Sequence, residues 1–369
     1  MTGILENEFS NTEFAEMKLD NRFVLAPMTR VSADPDGCAN ELMAEHYERY
    51  AEGGFGLLIT EGTYLDKDAS QGYANQPGIA DVPQREAWEP VVKRVHNAGA
   101  KIILQLMHAG AQLQYNRFTE TPIGLSEQQP KGQPLGLYGD QENWYDVKPM
   151  DEHEFDQVMN AFVAAVKRAH EAGFDGVELH AANGYLLHEF LSTHFNDRKD
   201  QWGGGIEERA KFILMLVKAA RSAVPDDFSI GIRLSQIAIT DSDYQFPEGE
   251  EGFEWLVKAL QEAGVSFIHT TDNEVNRKAL KDGERSLAQV VRDAGVPLII
   301  NGGISEDNYE ALAEEYPDAL MALAKKALAN PDFVKRVKGN DEVEDLDFAM
   351  LQPIANIENE MKWREQNAD

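Results

Sequence analysis

The sequence predicts a single α/β domain, a (β/α)8 TIM barrel with long loop insertions after strands three and four, and three observations carry that expectation. Short β-rich runs alternate with longer stretches of helical apolar period, eight times along the chain. No Ser-, Gly- or Pro-rich linker divides residues 1–369 and no internal repeat appears beyond the βα period, so the chain reads as one domain. Two connections, 107–150 and 181–205, are too long for ordinary βα loops, and both leave the C-terminal end of a strand, the catalytic face of such barrels.

The expected strands are 22–27, 56–60, 101–106, 176–180, 229–234, 266–270, 297–301 and 319–323, each a short aliphatic or β-branched run of strand length. Helical period between them is clearest over 152–172, where Phe155, Val158, Phe162, Ala165, Val166 and Ala169 recur at three- and four-residue steps and make one apolar stripe. The first long excursion holds Tyr115, Phe118, Tyr138, Trp144 and Tyr145, the content of a lid over a ligand or of plain surface packing.

Composition narrows the function classes. A formal charge of −30, from 64 acidic against 34 basic residues, would repel nucleic-acid phosphates and anionic membrane surfaces, so neither is expected as a partner. The acidic runs 247–255 and 340–347 read as solvated surface. No run approaches the roughly 18–20 apolar residues of a membrane span. The start, MTGILENEFSNTEF, lacks the basic and apolar regions of a secretory signal, so a cytoplasmic location is expected. A single cysteine, Cys38, rules out intramolecular disulfides and a four-thiolate iron-sulfur or zinc site, so redox chemistry here would need a bound organic cofactor.

Polar groups concentrate where the fourth strand should reach the barrel mouth: His180 ends it, Asn183 lies three residues on, and Tyr185 follows. Imidazole and carboxamide N–H groups can hold a carbonyl oxygen while a phenol delivers a proton to carbon. The same residue types also suit a structural His, an Asn capping the next helix and a core Tyr, and by themselves they leave both readings open.

The block GFDGVELHAANGYLLHEFLSTHFNDRKDQWGG (173–204) resembles the signature of the Old Yellow Enzyme family, with His180, Asn183, Gly184 and Tyr185 followed by Asn196, Arg198, Asp200, Trp202, Gly203 and Gly204 in the family's spacing. Further blocks match in the family's order: NRFVLAPMTR (21–30), GGFGLLITEGT (53–63), ILQLMHAG (103–110), IGIRLS (230–235), PLIINGGI (297–304) and LANPDF (328–333). The resemblance implies a barrel holding FMN, with NADPH or NADH as reductant and small electron-poor alkenes as substrates, α,β-unsaturated carbonyl or nitro compounds. It implies that His180 and Asn183 hold the substrate oxygen, that hydride from the flavin reaches the β-carbon, and that Tyr185 protonates the α-carbon from the opposite side.

For the cofactor it implies that Ala26, Pro27, Met28 and Thr29 lie against the ring, with the Thr29 hydroxyl near O4. Gly62 would allow close backbone approach, Gln105 would pair with the pyrimidine edge, and Arg233 would place positive charge beside N1. Gly302 and Gly303 would bind phosphate, together with Ala324 and Lys325, where the family usually shows Gly-Arg. Lysine lacks the guanidinium fork and Ala is less permissive than Gly, so weaker FMN binding is expected there.

Other departures are Met107 in place of Trp, Ala111 in place of Arg, and Gly205 in place of Ser, while His108 reads as structural. Loss of the arginine at 111 puts a nearby structural ion pair in doubt. Beyond Asp332 the match fades, and 340–369 receives no role. Members with an iron-sulfur cluster and extra domains are excluded by length and the lone Cys38. An aldolase-type barrel would want a reactive lysine at a strand end, and only Lys325 qualifies. A flavin- or ligand-binding barrel without efficient turnover stands as the alternative. The sequence leaves stereochemistry and oligomeric state open, a homo-oligomer among the options.

Overall fold

A computed structural model describes residues 8–367; the first seven residues of the N-terminal run and the last two of the C-terminal run lie outside the described residues. All eight expected strands form and close a parallel barrel in chain order. They are β1 (Phe23–Leu25), β2 (Leu57–Ile59), β3 (Lys101–Leu106), β4 (Gly176–Asn183), β5 (Ser229–Ala238), β6 (Phe267–Thr271), β7 (Leu298–Asn301) and β8 (Leu320–Leu323).

Several ends differ from the sequence expectation, for identifiable reasons. β1 stops short of 22–27 because Arg22 turns to the barrel floor, where its guanidinium donates to Pro317 O at 2.6 Å, and because Pro27 has no N–H to give a ladder. β4 and β5 outrun their expected ends because their pairing resumes at Asn183 and Ala238 after an irregularity at 181–183. Helix Glu152–Glu171 begins where periodicity places it, fixed by a capping box between Asp151 and Glu154.

A strand's side chains alternate in direction, so one set fills the barrel and the other meets the helices. The interior floor is apolar: Val24, Leu57, Ile59, Ile103, Phe267, Ile299, Leu320 and Ala322 pack together, closed from below by Phe14, Met17 and Leu19. Those three come from a hairpin, Thr12–Phe14 with Met17–Leu19, that was not expected. Full burial of each large apolar side chain contributes about 1.5–3 kcal/mol. One step up the same inward rows the chemistry changes to Gln105, Glu178, His180, Arg233, His269, Thr271 and Asn301, all buried or nearly so.

The long excursion 107–150 carries a short turn, Gly110–Gln112, and a two-stranded pair, Ile123–Gly124 with Lys148–Pro149. The C-terminal segment, without a role in the sequence reading, folds back across the mouth. Its last helix, Ile357–Gln366, presents a fully buried Glu360 to Arg30 at 2.7 Å, Arg49 at 2.8 Å and Arg364 at 3.0 Å. Backbone N–H groups of Ile357 and Ala355 donate to Ser32 Oγ at 2.9 Å and Leu137 O at 2.8 Å.

The acidic run 247–255 is not simply solvated, which corrects the sequence reading. Glu248 accepts from the buried Arg209 at 2.8 Å, and Arg285 bridges Glu250 at 2.8 Å and Glu254 at 2.6 Å. The run 340–347 is mostly exposed, as expected. Among the described residues no helix is long and apolar enough to cross a membrane.

Candidate active site

The strand ends, the excursion and the C-terminal segment enclose a cavity of about 350 Å³ at the barrel mouth. Pro27, Met28 and Thr29 from the β1 end, Gln105 from β3, His180, Asn183 and Tyr185 from β4 and after, Arg233 from β5, and Ala324 and Lys325 after β8 all line it. The structure therefore brings together ten of the fourteen residues singled out from the sequence. Ala26, Gly62, Gly302 and Gly303 do not line the cavity. Gly62 stands where a Cβ would lie 2.6 Å from Met107 Sδ, so a side chain there would displace Met107.

His180 and Asn183 are presented by an unusual strand end. Asn183 adopts φ +63° and Gly184 φ +93°, left-handed conformations that Asn tolerates and Gly adopts freely. The Asn183 backbone is held from both sides, its N–H donating to Ser235 Oγ at 2.8 Å and its carbonyl accepting from Gln112 Nε2 at 2.9 Å. The reading of Asn183 as a helix cap fails: Tyr185 stands at the N-cap of helix Leu186–Leu191, which has no side-chain cap. His180 pairs in register with Arg233, and its ring centroid lies 5.1 Å from that of Tyr185. Burial, helped by the Arg233 charge, holds the His180 imidazole well below its ordinary value, so it is neutral at pH 7.

Tyr185 has a partner the sequence reading did not identify. Its hydroxyl is 2.6 Å from that of Tyr73, a buried residue in the loop after β2. Burial pushes the Tyr185 phenol well above its ordinary value, while the bond to Tyr73 and the charge of Arg233 oppose that rise. Tyr73 meets Tyr138 at a centroid distance of 4.8 Å, and Tyr138 lines the cavity together with Thr29. Of the five excursion aromatics named from the sequence, Tyr138 is the one that lines the cavity.

Beneath the cavity, Gln105 Nε2 donates to Glu178 Oε1 at 2.8 Å, and Arg233 Nη2 reaches Thr271 Oγ1 at 3.1 Å and Asn301 Oδ1 at 3.0 Å. Lys325 follows Ala324, whose φ of −114° needs no glycine, so that part of the expected weakness does not arise. Gly302 has φ +148°, and a Cβ on it would meet Asp272 O at 2.8 Å; this glycine accommodates the neighbouring loop. Part of the remaining wall comes from residues to which the sequence gave no role: Leu346, Phe348, Leu351 and Ala355 of the C-terminal segment.

This donor set fits a flavin. Three buried nitrogens on cavity-lining residues, His180 Nδ1, Arg233 Nε and Arg30 Nε, have no hydrogen-bond partner among the described residues, and the first two sit at the strand ends that form the site. Much of the wall is apolar, from Pro27, Met28, Met107, Leu328 and Leu351 among others, and the floor offers one cation, Arg233, and one carboxamide, Gln105, as the edge of a polar heterocycle requires. His108 is structural in outline: its Nδ1 accepts from Gly110 N at 3.1 Å and its carbonyl from Leu186 N at 3.1 Å. The doubt about an ion pair at Ala111 is resolved by Glu189, whose buried carboxylate accepts from the Ala111 N–H at 2.6 Å and has no cation partner among the described residues.

A family model described as the NADH:flavin oxidoreductase / NADH oxidase family matches residues 9–344. The chain is 32% identical over 323 residues to putative 12-oxophytodienoate reductase 11 of Oryza sativa subsp. japonica, a match covering 86% of each. It is 30% identical over 342 residues to an NADH oxidase of Thermoanaerobacter brockii, covering 90% of this chain and 50% of that protein, so it spans half that relative's length. The solved structure of the old yellow enzyme homologue from Zymomonas mobilis superposes with a TM-score of 0.83 at 26% identity, covering 96% of this chain and 99% of that one. The family match ends just before the segment that roofs the cavity.

Proposed function

The chain belongs to the NADH:flavin oxidoreductase / NADH oxidase family, the Old Yellow Enzyme family, and from that premise we propose that it is a cytoplasmic, FMN-dependent ene-reductase. Its substrates would be α,β-unsaturated carbonyl or nitro compounds, with NADH or NADPH as reductant. The observation that carries this reading is the convergence of His180, Asn183 and Tyr185, the last backed by Tyr73, on one cavity above Gln105 and Arg233.

FMN, when bound, supplies the hydride. His180 and Asn183 are the oxygen clamp: a neutral imidazole and a carboxamide donate to the substrate's carbonyl or nitro oxygen, where negative charge grows during reaction. Donors fixed in advance act more on the transition state than on the ground state. Tyr185 gives its phenolic proton to the α-carbon, and Tyr73 donates to the Tyr185 oxygen as charge develops on it. Arg233 and Gln105 would hold the pyrimidine edge of the cofactor, Pro27, Met28 and Thr29 its face, and Lys325 the phosphate. The apolar C-terminal wall keeps water from the reacting carbon.

Purified protein is expected to be yellow, its flavin absorption bleached by NADH or NADPH and restored by cyclohexenone. Colourless protein that FMN does not reconstitute would refute the reading. A second reading, a flavin-binding barrel without efficient turnover, is favoured by Lys325 alone standing where a forked guanidinium would grip phosphate. It predicts a yellow protein whose bleached form ignores every electron-poor alkene offered.

A further inference from the structure

One layer below the cavity lies a charge that the mechanism above does not use. Glu178 is fully buried and is not part of that cavity's lining; its two oxygens accept from Gln105 Nε2 at 2.8 Å and His269 Nδ1 at 2.7 Å. The arrangement follows from strand register, since Gln105 pairs with Glu178 across β3 and β4, and Arg233 pairs with both His180 and His269. Burying a carboxylate costs several kcal/mol, and apolar replacement of such groups is often neutral or stabilising, so a charge kept here calls for a role.

We propose that Glu178 is a positioning residue of the flavin site, fixing the Gln105 amide and partly neutralising Arg233, and thereby setting the reduction potential of the bound flavin. The proposal rests on the FMN reading above. With one amide N–H committed to Glu178, the Gln105 carboxamide keeps one orientation toward the cavity. With a carboxylate close by, Arg233 presents less net positive charge to the cofactor than a lone guanidinium would. Less positive charge favours the oxidised, neutral flavin over its reduced anion and makes the reduced form a stronger hydride donor.

The charged and titratable groups facing Glu178 are His269 on β6, Arg233 on β5 and His180 on its own strand; β3 offers the neutral Gln105. Burial opposes ionisation of Glu178, but His269, Arg233 and Gln105 outweigh it and hold the carboxyl below its ordinary value. Burial holds His269 low, so it is a neutral donor.

The test is Glu178→Gln in the FMN-loaded protein, read by dye-equilibrated reduction potential. The substitution is nearly isosteric: the new carbonyl can accept from Gln105, and the new amide can donate to His269 Nδ1 once that ring moves its proton to the unpartnered Nε2. We expect reduced FMN to be held about tenfold more tightly relative to oxidised FMN, a rise of about 30 mV for a two-electron couple. Flavin bleaching by NADH should quicken and alkene reduction should slow. His269→Gln keeps both the carboxylate and an N–H donor and should leave the potential where it was.

An unmoved potential in Glu178→Gln, or equal slowing of both half-reactions, overturns the proposal while leaving the FMN reading intact. A wild-type protein that takes up no FMN overturns both. Should Glu178→Gln not fold, His269→Leu replaces it: stripped of its donor, Glu178 protonates more readily, and the potential should climb more steeply than wild type as pH falls. A pH profile identical to wild type then overturns the proposal.

Discussion

Substituting Glu360 by Ala should loosen the roof of the active site, because that one carboxylate holds three arginines. The Arg30 arm is the strong one: its side chain is 2% exposed and its partner 0%, at 2.7 Å. Removing the carboxylate leaves the Arg30 guanidinium buried with only the Asn356 carbonyl, at 3.0 Å, as a remaining acceptor. Removing one partner of a buried ion pair costs about 3–5 kcal/mol. The Arg49 and Arg364 arms are 31% and 27% exposed, so solvent screening limits each to about 0.2–1 kcal/mol. The sum is on the order of 4 kcal/mol. With an unfolding entropy of about 2.1 cal/mol/K per residue, a chain of this length should melt about 5 °C lower. Because residues 346–355 wall the cavity and are tethered through this helix, the FMN dissociation constant should rise as well.

Thermal melts and fluorescence titration of FMN into apoprotein measure both effects. Burial opposes ionisation of Glu360, but the electrostatic contacts with its neighbours, the Arg30, Arg49 and Arg364 guanidiniums among them, hold the carboxyl down at about 2 against an ordinary 4.5. Its contribution is therefore present above about 4.5 and lost as pH falls through about 2, so the deficit of the variant should shrink across that window. A melting point within 1 °C of wild type, with unchanged FMN affinity, would refute the role given to the Arg30–Glu360 anchor.

Three further outcomes are expected. Tyr73→Phe should slow alkene reduction about tenfold, the worth of one hydrogen bond, with flavin bleaching unchanged; stopped-flow rates that leave both steps untouched would remove Tyr73 from the acid's support. Glu189→Gln should stabilise the protein at neutral and alkaline pH: burial raises that carboxyl from 4.5 to about 8, so wild type loses stability as pH rises from about 4.5 to about 8. The gain at pH 8 should be on the order of several kcal/mol, and denaturation curves that run parallel for both proteins from pH 5 to 9 would contradict it. Lys325→Ala should weaken FMN more than riboflavin, measured by titration with each; equal loss of both would separate Lys325 from the phosphate.

The barrel was legible because each strand is a short aliphatic run and each crossover helix has its own apolar stripe, both local properties. His180, Asn183 and Tyr185 were legible as a motif, and Gln105 and Arg233 as polar residues at strand ends. What escaped depends on distance along the chain. Arg30 and Glu360 meet across 330 residues, and no periodicity announces such a contact. Tyr73 lies in a loop of Gly, Asn and Pro whose shape depends on Gln76 reaching Gly62 O at 2.7 Å. Glu178 could have been found, since it shares the inward parity of His180 two residues on, and a charge in mid-strand is costly without a partner. The acidic run 247–255 was misread because its arginine partners lie on other elements.

The proposed mechanism stands on Tyr185 as the acid and on His180 and Asn183 as the clamp. Stopped-flow measurement of the two half-reactions of Tyr185→Phe tests it most directly. Flavin bleaching by NADH or NADPH should proceed within about twofold of wild type, while reoxidation by cyclohexenone falls by two orders of magnitude or more, the range of general acid catalysis at about 10²–10⁴-fold. Equal loss in both half-reactions, or reoxidation at the wild-type rate, would contradict it.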